Sequence, residues 1–170
     1  VLGGSSTSWS DDTASGVPGT LYDYYVRVNG SEYGLSGFSS GEPGYRLLAA
    51  VTGVTASWAT STSAVSVGWT NLEGAQVYDV YRSTSISRPS SPTFEGVSRP
   101  YADTGASAGV RYYYWVRARG DAGTDPGPVS VSYDEGCLKL QAPDDLVGHV
   151  PLSYHLEISW DAVPGASGYY

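Results

Sequence analysis

Little in this sequence is typed and spaced for covalent chemistry. His149 and His155 are its only histidines and Cys137 its only cysteine. A zinc site needs three or four such ligands at short, paired spacings, and these are unpaired. His155 alternates with apolar neighbours, which turns it outward. A single cysteine makes no internal disulfide. Cys137 reads as a neutral, core-type side chain, with a free or intermolecular thiol as the alternative. No nucleophile elbow and no phosphate-cradling loop is visible. The acidic pairs Asp11-Asp12, Asp134-Glu135 and Asp144-Asp145 could offer oxygen ligands to calcium. None sits in a loop with ligand spacing, so they read as solvated turn and linker charges. Paired carboxylates for glycoside hydrolysis would also need a cleft. The expectation is a protein with no catalytic residues, no metal and no cofactor.

Aromatic side chains are what this sequence has in density. In the stretch 101–118 a turn rich in Asp, Gly and Ser gives way to an aromatic, β-branched run. There Tyr112, Tyr114, Val116 and Ala118 alternate with Tyr113, Trp115 and Arg117. A two-residue period means a strand with an inner and an outer face. With the first set inward, Tyr113 and Trp115 point out, and Tyr81 on a neighbouring strand joins them. An exposed cluster of Tyr81, Tyr113 and Trp115 would suit a protein partner or a sugar-stacking platform. Equally, it would suit cross-strand pairing that only stabilises the sheet.

The elements that position these residues follow from composition. The chain has 170 residues, 15 Tyr and 5 Trp against 2 Phe, and no Met, with Gly, Ser, Thr and Val common. That is an all-β composition. A net charge of −8 opposes binding to nucleic acid, whose phosphates call for cations. No apolar run is long enough to span a bilayer. Neither an initiating Met nor an apolar leader opens the chain, which suggests a piece of a longer precursor.

Taken in order, Asp11-Asp12-Thr13 reads as a turn and Tyr22 to Val28 as a strand. Asn29-Gly30 reads as a tight turn, and Asn29-Gly30-Ser31 as turn chemistry rather than a glycosylation acceptor. Strands are expected over 51–59, 64–69, 77–83, 94–97 and 127–133. The Pro- and Ser-rich stretch 87–92 is an edge or loop. Near the end, Leu156, Ile158 and Trp160 alternate. The pattern repeats. Trp69 precedes Tyr78 by nine residues, as Trp160 precedes Tyr169. Tyr22, Tyr24, Val26 and Arg27 match Tyr112, Tyr114, Val116 and Arg117, and Gly44-Tyr45 matches Gly136-Cys137. A period of about 90 residues approaches the size of an immunoglobulin-like sandwich. Residues 1–46 are then the back of one unit, 47–137 a complete unit, and 138–170 the front of a third.

These residues resemble the fibronectin type III domain. They supply its second-strand Trp (Trp69, Trp160) and its third-strand turn and Tyr (Gly74 to Tyr78, Gly165 to Tyr169). Tyr112, Tyr114, Val116 and Ala118 match its sixth-strand spacing. The wording is similar to tandem copies in large bacterial surface or secreted proteins. The resemblance makes Tyr22 and Tyr112 the tyrosine corner, a structural residue. It also puts Arg119-Gly120-Asp121 in the loop that carries the integrin-type tripeptide in one member of the family. Gly and Asp are what such a turn selects in any case.

The resemblance implies tandem β-sandwiches in an extracellular or cell-surface array: a stalk, adhesin shaft or filament. Alternatives are a glycan- or protein-binding module and a spacer on a secreted polysaccharide-degrading enzyme. The partners expected are neighbouring copies or adjacent domains of the same protein, with a glycan or surface protein as the further case. No nucleic acid and no membrane insertion of this segment are expected. The two partial units could complete one another between chains, head to tail.

Overall fold

Short alternating runs separated by Gly, Pro and Ser leave the backbone little choice but strands and turns. The computed structural model describes residues 6–12, 16–30, 32–122, 124–150 and 155–170. Thirteen strands lie among them. The first four are β1 (Tyr22–Tyr24), β2 (Asn29–Gly30), β3 (Gly34–Leu35) and β4 (Glu42–Gly44). The middle of the chain holds β5 (Thr55–Ala56), β6 (Val65–Gly68), β7 (Val77–Ser83), β8 (Phe94–Val97), β9 (Tyr101–Asp103), β10 (Tyr112–Arg119) and β11 (Asp134–Gly136). Then come β12 (Val147–His149) and β13 (Glu157–Ser159).

The middle seven strands make two antiparallel sheets, in the order β5-β6-β9 and β11-β10-β7-β8. This is an immunoglobulin-like sandwich with the strand order of the fibronectin type III fold, as the resemblance implies. Val65 and Val67 of β6, with Trp69 just beyond, face Tyr78 and Val80 of β7 and Tyr114, Val116 and Ala118 of β10. Leu48, Val51 and Leu138 belong to the same core. The two long strands are in continuous register from Tyr113 opposite Ser83 to Arg119 opposite Val77.

The repeat is visible as geometry. Tyr22 pairs with Gly44 as Tyr112 pairs with Gly136. The Tyr22 hydroxyl accepts from the Val17 N–H at 3.0 Å, and that of Tyr112 from the Ser107 N–H at 3.2 Å. Trp69 and Tyr78 stack at 5.0 Å and 60°, Trp160 and Tyr169 at 5.2 Å and 62°. Burial separates the copies. Val116 is 0 % exposed where its counterpart Val26 is 68 %, and Trp69 is 3 % exposed where Trp160 is 38 %.

Several boundaries differ from those the sequence suggests. Asn29 and Gly30 are not a turn: they pair with Leu35 and Gly34, and the reversal comes after them. Ser31, like Thr13 of the first expected turn, lies outside the described residues. The stretch opening at Tyr101 is a strand, β9, before it is a turn. Asp103 disguises it, being a poor strand residue that is here buried and ion-paired. The last strand of the sandwich starts at Asp134 rather than near Gly127. Pro128 has no N–H to donate, and the Ser130 hydroxyl takes the Val116 N–H at 3.1 Å, so the ladder is irregular there. Over 51–59 only Thr55–Ala56 is paired as a strand.

Tyr112→Phe keeps the ring and leaves the Ser107 N–H without its acceptor. The expected cost is about 1 kcal/mol, read as a lower urea midpoint at unchanged slope.

Candidate functional site

Polar and aromatic residues converge where β7 and β10 pair. Asp79 lies opposite Arg117 and Tyr81 opposite Trp115. Tyr81, Tyr113 and Trp115 do share the outer face of the four-stranded sheet, but the expected exposed platform is covered. Tyr81 is 1 % exposed and Trp115 4 %. The Arg88 and Arg117 guanidinium groups sit over the Tyr81 ring at 5.4 and 5.7 Å. Tyr133, carried by the segment before β11, packs against both Tyr113 and Trp115 at 5.4 Å. Period-two reasoning gives the face and not what lies over it. Tyr113 is half-buried, and Tyr133 is the aromatic at the surface of this cluster.

Two carboxylates are buried here, Asp79 on β7 and Asp103 on β9 of the facing sheet. Asp79 accepts from Arg117 Nη2 at 2.7 Å, Arg117 Nε at 3.2 Å and the Gly96 N–H at 3.1 Å, and Arg119 Nη2 lies 3.1 Å away. Asp103 accepts from Arg82 Nη1 on both oxygens, from the Tyr114 hydroxyl at 2.8 Å and from the Gly105 N–H at 3.0 Å. Arg82 in turn lies against the rings of Tyr112 and Phe94, at 4.8 and 5.2 Å. A carboxylate saturated by cations and N–H groups is neither a base nor a nucleophile in waiting. These groups make the sheet edges specific, and sequence reading missed them. The available signal was the Asp79–Arg117 cross-strand pair.

Tyr114 is strongly altered by its surroundings. Burial, then its bond to Asp103, pushes its phenol well above the ordinary tyrosine value. Tyr101 is also raised, chiefly by burial.

The tripeptide Arg119-Gly120-Asp121 is occupied as well. Arg119 ends β10 on Asp79, the Asp121 N–H donates to Gly19 O at 2.7 Å, and Asp121 Oδ2 accepts from the Leu21 N–H at 3.2 Å. Tyr22 and Tyr112 hold the corners already described. Of the acidic pairs, Asp11 accepts from the Tyr24 hydroxyl, Asp134 from the Ala56 N–H, and Glu135 pairs with Arg111 at 3.4 Å. Among the described residues no three His, Cys, Asp or Glu side chains are grouped to hold a metal ion. His149 and His155 are exposed and Cys137 is a half-buried free thiol. No helix among the described residues is long and apolar enough to cross a membrane.

An open cavity of about 730 Å³ is lined by Leu140, Leu146, Ile158, Trp160 and Tyr169, among others. Trp160 and Tyr169 are the counterparts of Trp69 and Tyr78, so this is half of a sandwich core rather than a ligand pocket.

No family model matches the chain. A poly(3-hydroxybutyrate) depolymerase from Ralstonia pickettii is 34 % identical over 116 residues, 68 % of this chain. The chain spans 21 % of that relative's length. An Fn3-like protein from Clostridium thermocellum is similar in structure, with TM-score 0.45 and 29 % identity over 54 % of this chain and 95 % of that one. The FN1-FN3 domains of chicken CNTN1 give TM-score 0.38 and 17 % identity over 88 % of this chain and 55 % of that one.

A phenol whose ionisation is raised on folding stabilises the protein fully below about pH 10, and that contribution drains away as pH rises beyond it. The urea midpoint should therefore fall above pH ~10 in the wild type and fall less in Tyr114→Phe. At neutral pH that variant should be about 1.5 kcal/mol less stable, having lost a bond to a charged acceptor.

Proposed function

We propose that this chain, whose seven-stranded unit has the fibronectin type III fold, is a non-catalytic structural array of such units, divided at 46/47 and 137/138. It works outside the cell as a stalk, shaft or fibre segment. One observation carries the reading: the groups that could do chemistry are used to hold the sandwich together. Asp79 and Asp103 are saturated by arginines and backbone N–H groups, and the aromatic strip is covered by Arg88 and Tyr133. The hydroxyls of Tyr22, Tyr78, Tyr112 and Tyr169 each accept a backbone N–H, at least one in each of the three units.

The depolymerase relative favours a second, compatible reading, in which the array is the spacer of a secreted polymer-degrading enzyme whose catalytic domain is separate. A binding module has less support, since its aromatic platform is not exposed.

The apolar faces of 1–46 and 138–170 are covered, in the assembled protein, by neighbouring copies or by adjacent domains. Analytical ultracentrifugation of the 170-residue segment separates these: self-association assigns the cover to copies, a monomer at all concentrations to adjacent domains.

The function is tested by sedimenting the segment with granules of poly(3-hydroxybutyrate), cellulose and chitin. It should stay in the supernatant and release no soluble product. Retention on one polymer that is lost in Tyr133→Ala would make this a binding module instead.

A further inference from the structure

Four tight turns in this chain are built alike. Residues 17–20, 72–75, 107–110 and 163–166 each close with a hydrogen bond from the fourth N–H to the first carbonyl, at 3.3, 3.2, 3.3 and 3.1 Å. Each has glycine third, with φ of 74° at Gly19, 82° at Gly74, 72° at Gly109 and 83° at Gly165. These are type II turns, in which the third residue must take positive φ. The first residue of each is pinned a second time, because its N–H donates to a tyrosine hydroxyl. Val17 donates to Tyr22, Leu72 to Tyr78, Ser107 to Tyr112 and Val163 to Tyr169.

The turns meet in pairs where one unit follows another. A methyl group built on Gly74 would overlap the Pro18 carbonyl oxygen, and one on Gly165 would overlap that of Ala108. Gly74 and Gly165 are third residues; Pro18 and Ala108 are second residues. The same atoms therefore touch at both junctions. At the first junction Gly120 also packs directly on Gly19, and Asp121 exchanges hydrogen bonds with Gly19 and Leu21.

We infer that these back-to-back turns are a repeating joint: the turn before each sixth-strand tyrosine is a seat for the glycine turn that precedes the third-strand tyrosine of the next unit. The partner it fits is another unit of this kind, with glycine third in that turn. Two rigid turns with no space for a Cβ between them admit one approach, so successive units are held in one relation and not on a swivel. This deepens the array reading and rests on it.

The clean probe is Gly120→Ala. Gly120 does not have positive φ, so alanine suits its own backbone, while the three atoms nearest its methyl group would all belong to Gly19 of the preceding unit. Amide hydrogen exchange of the 170-residue chain, followed by NMR, reads the joint directly. In the wild type the Asp121 and Leu21 amides should be protected. In Gly120→Ala both should exchange on the order of tenfold faster, with Val116 inside the sandwich unchanged. Seam amides that exchange like free loop amides in the wild type, or that ignore Gly120→Ala, would overturn the joint. If Val116 also loses protection, Asp121→Ala decides. Faster exchange at Leu21 with Val116 intact upholds the joint, and an unchanged Leu21 refutes it. The granule assay fails or succeeds without reference to these amides, so the two readings fall separately.

Discussion

A sheet can hide its apolar side only against another layer, and among the described residues just one pair of sheets does so completely. The contrast between Val116 and Val26, the same residue on equivalent strands, isolates that constraint. Local sequence, strand direction and even ring geometry are shared between the copies; the opposing layer is not. Everything that distinguishes the middle unit follows from having both layers. It has a sealed Trp69–Tyr78 core, two carboxylates that can be buried because arginines reach them, and a phenol that resists ionisation.

The buried charges show how the edges of that sandwich are specified. Ion pairs taken out of water give little net stability, because desolvation offsets attraction. Their effect is better seen as exclusion of alternatives. Asp103 makes the short strand β9 pair in one register, since any slip would strand its carboxylate away from Arg82 and Tyr114. Asp79 does the same for β7, against β8 through the Gly96 N–H and against β10 through Arg117 and Arg119. Aromatic rings stacked on the guanidinium groups complete the cover of the outer face.

Much of this was legible in the sequence, and the boundary of legibility is physical. The all-β class, the ~90-residue repeat and the inward set Tyr112, Tyr114, Val116 depend on alternation and spacing, which a sequence displays. β9 was hidden because a buried, paired Asp looks like a turn residue. The exposure of Trp115 and Tyr81 was misjudged because period two separates faces without saying whether a later segment, here the one carrying Tyr133, folds over one of them. The first junction was invisible for a related reason. Pro18, Gly19, Gly74 and Gly120 are ordinary turn residues singly, and only the fold brings them to one place.

The tyrosine-pinned turns have a consequence for how such a protein changes length. One unit carries a seat at one pole and a matching turn at the other, both encoded within a few residues of its own strands. On the inferred joint, a gene segment spanning one unit could be copied or excised whole with the flanking units still meeting through complementary surfaces. In the proposed array growth would be modular, whereas an insertion between a turn glycine and the tyrosine just downstream would break the phase for every unit beyond it.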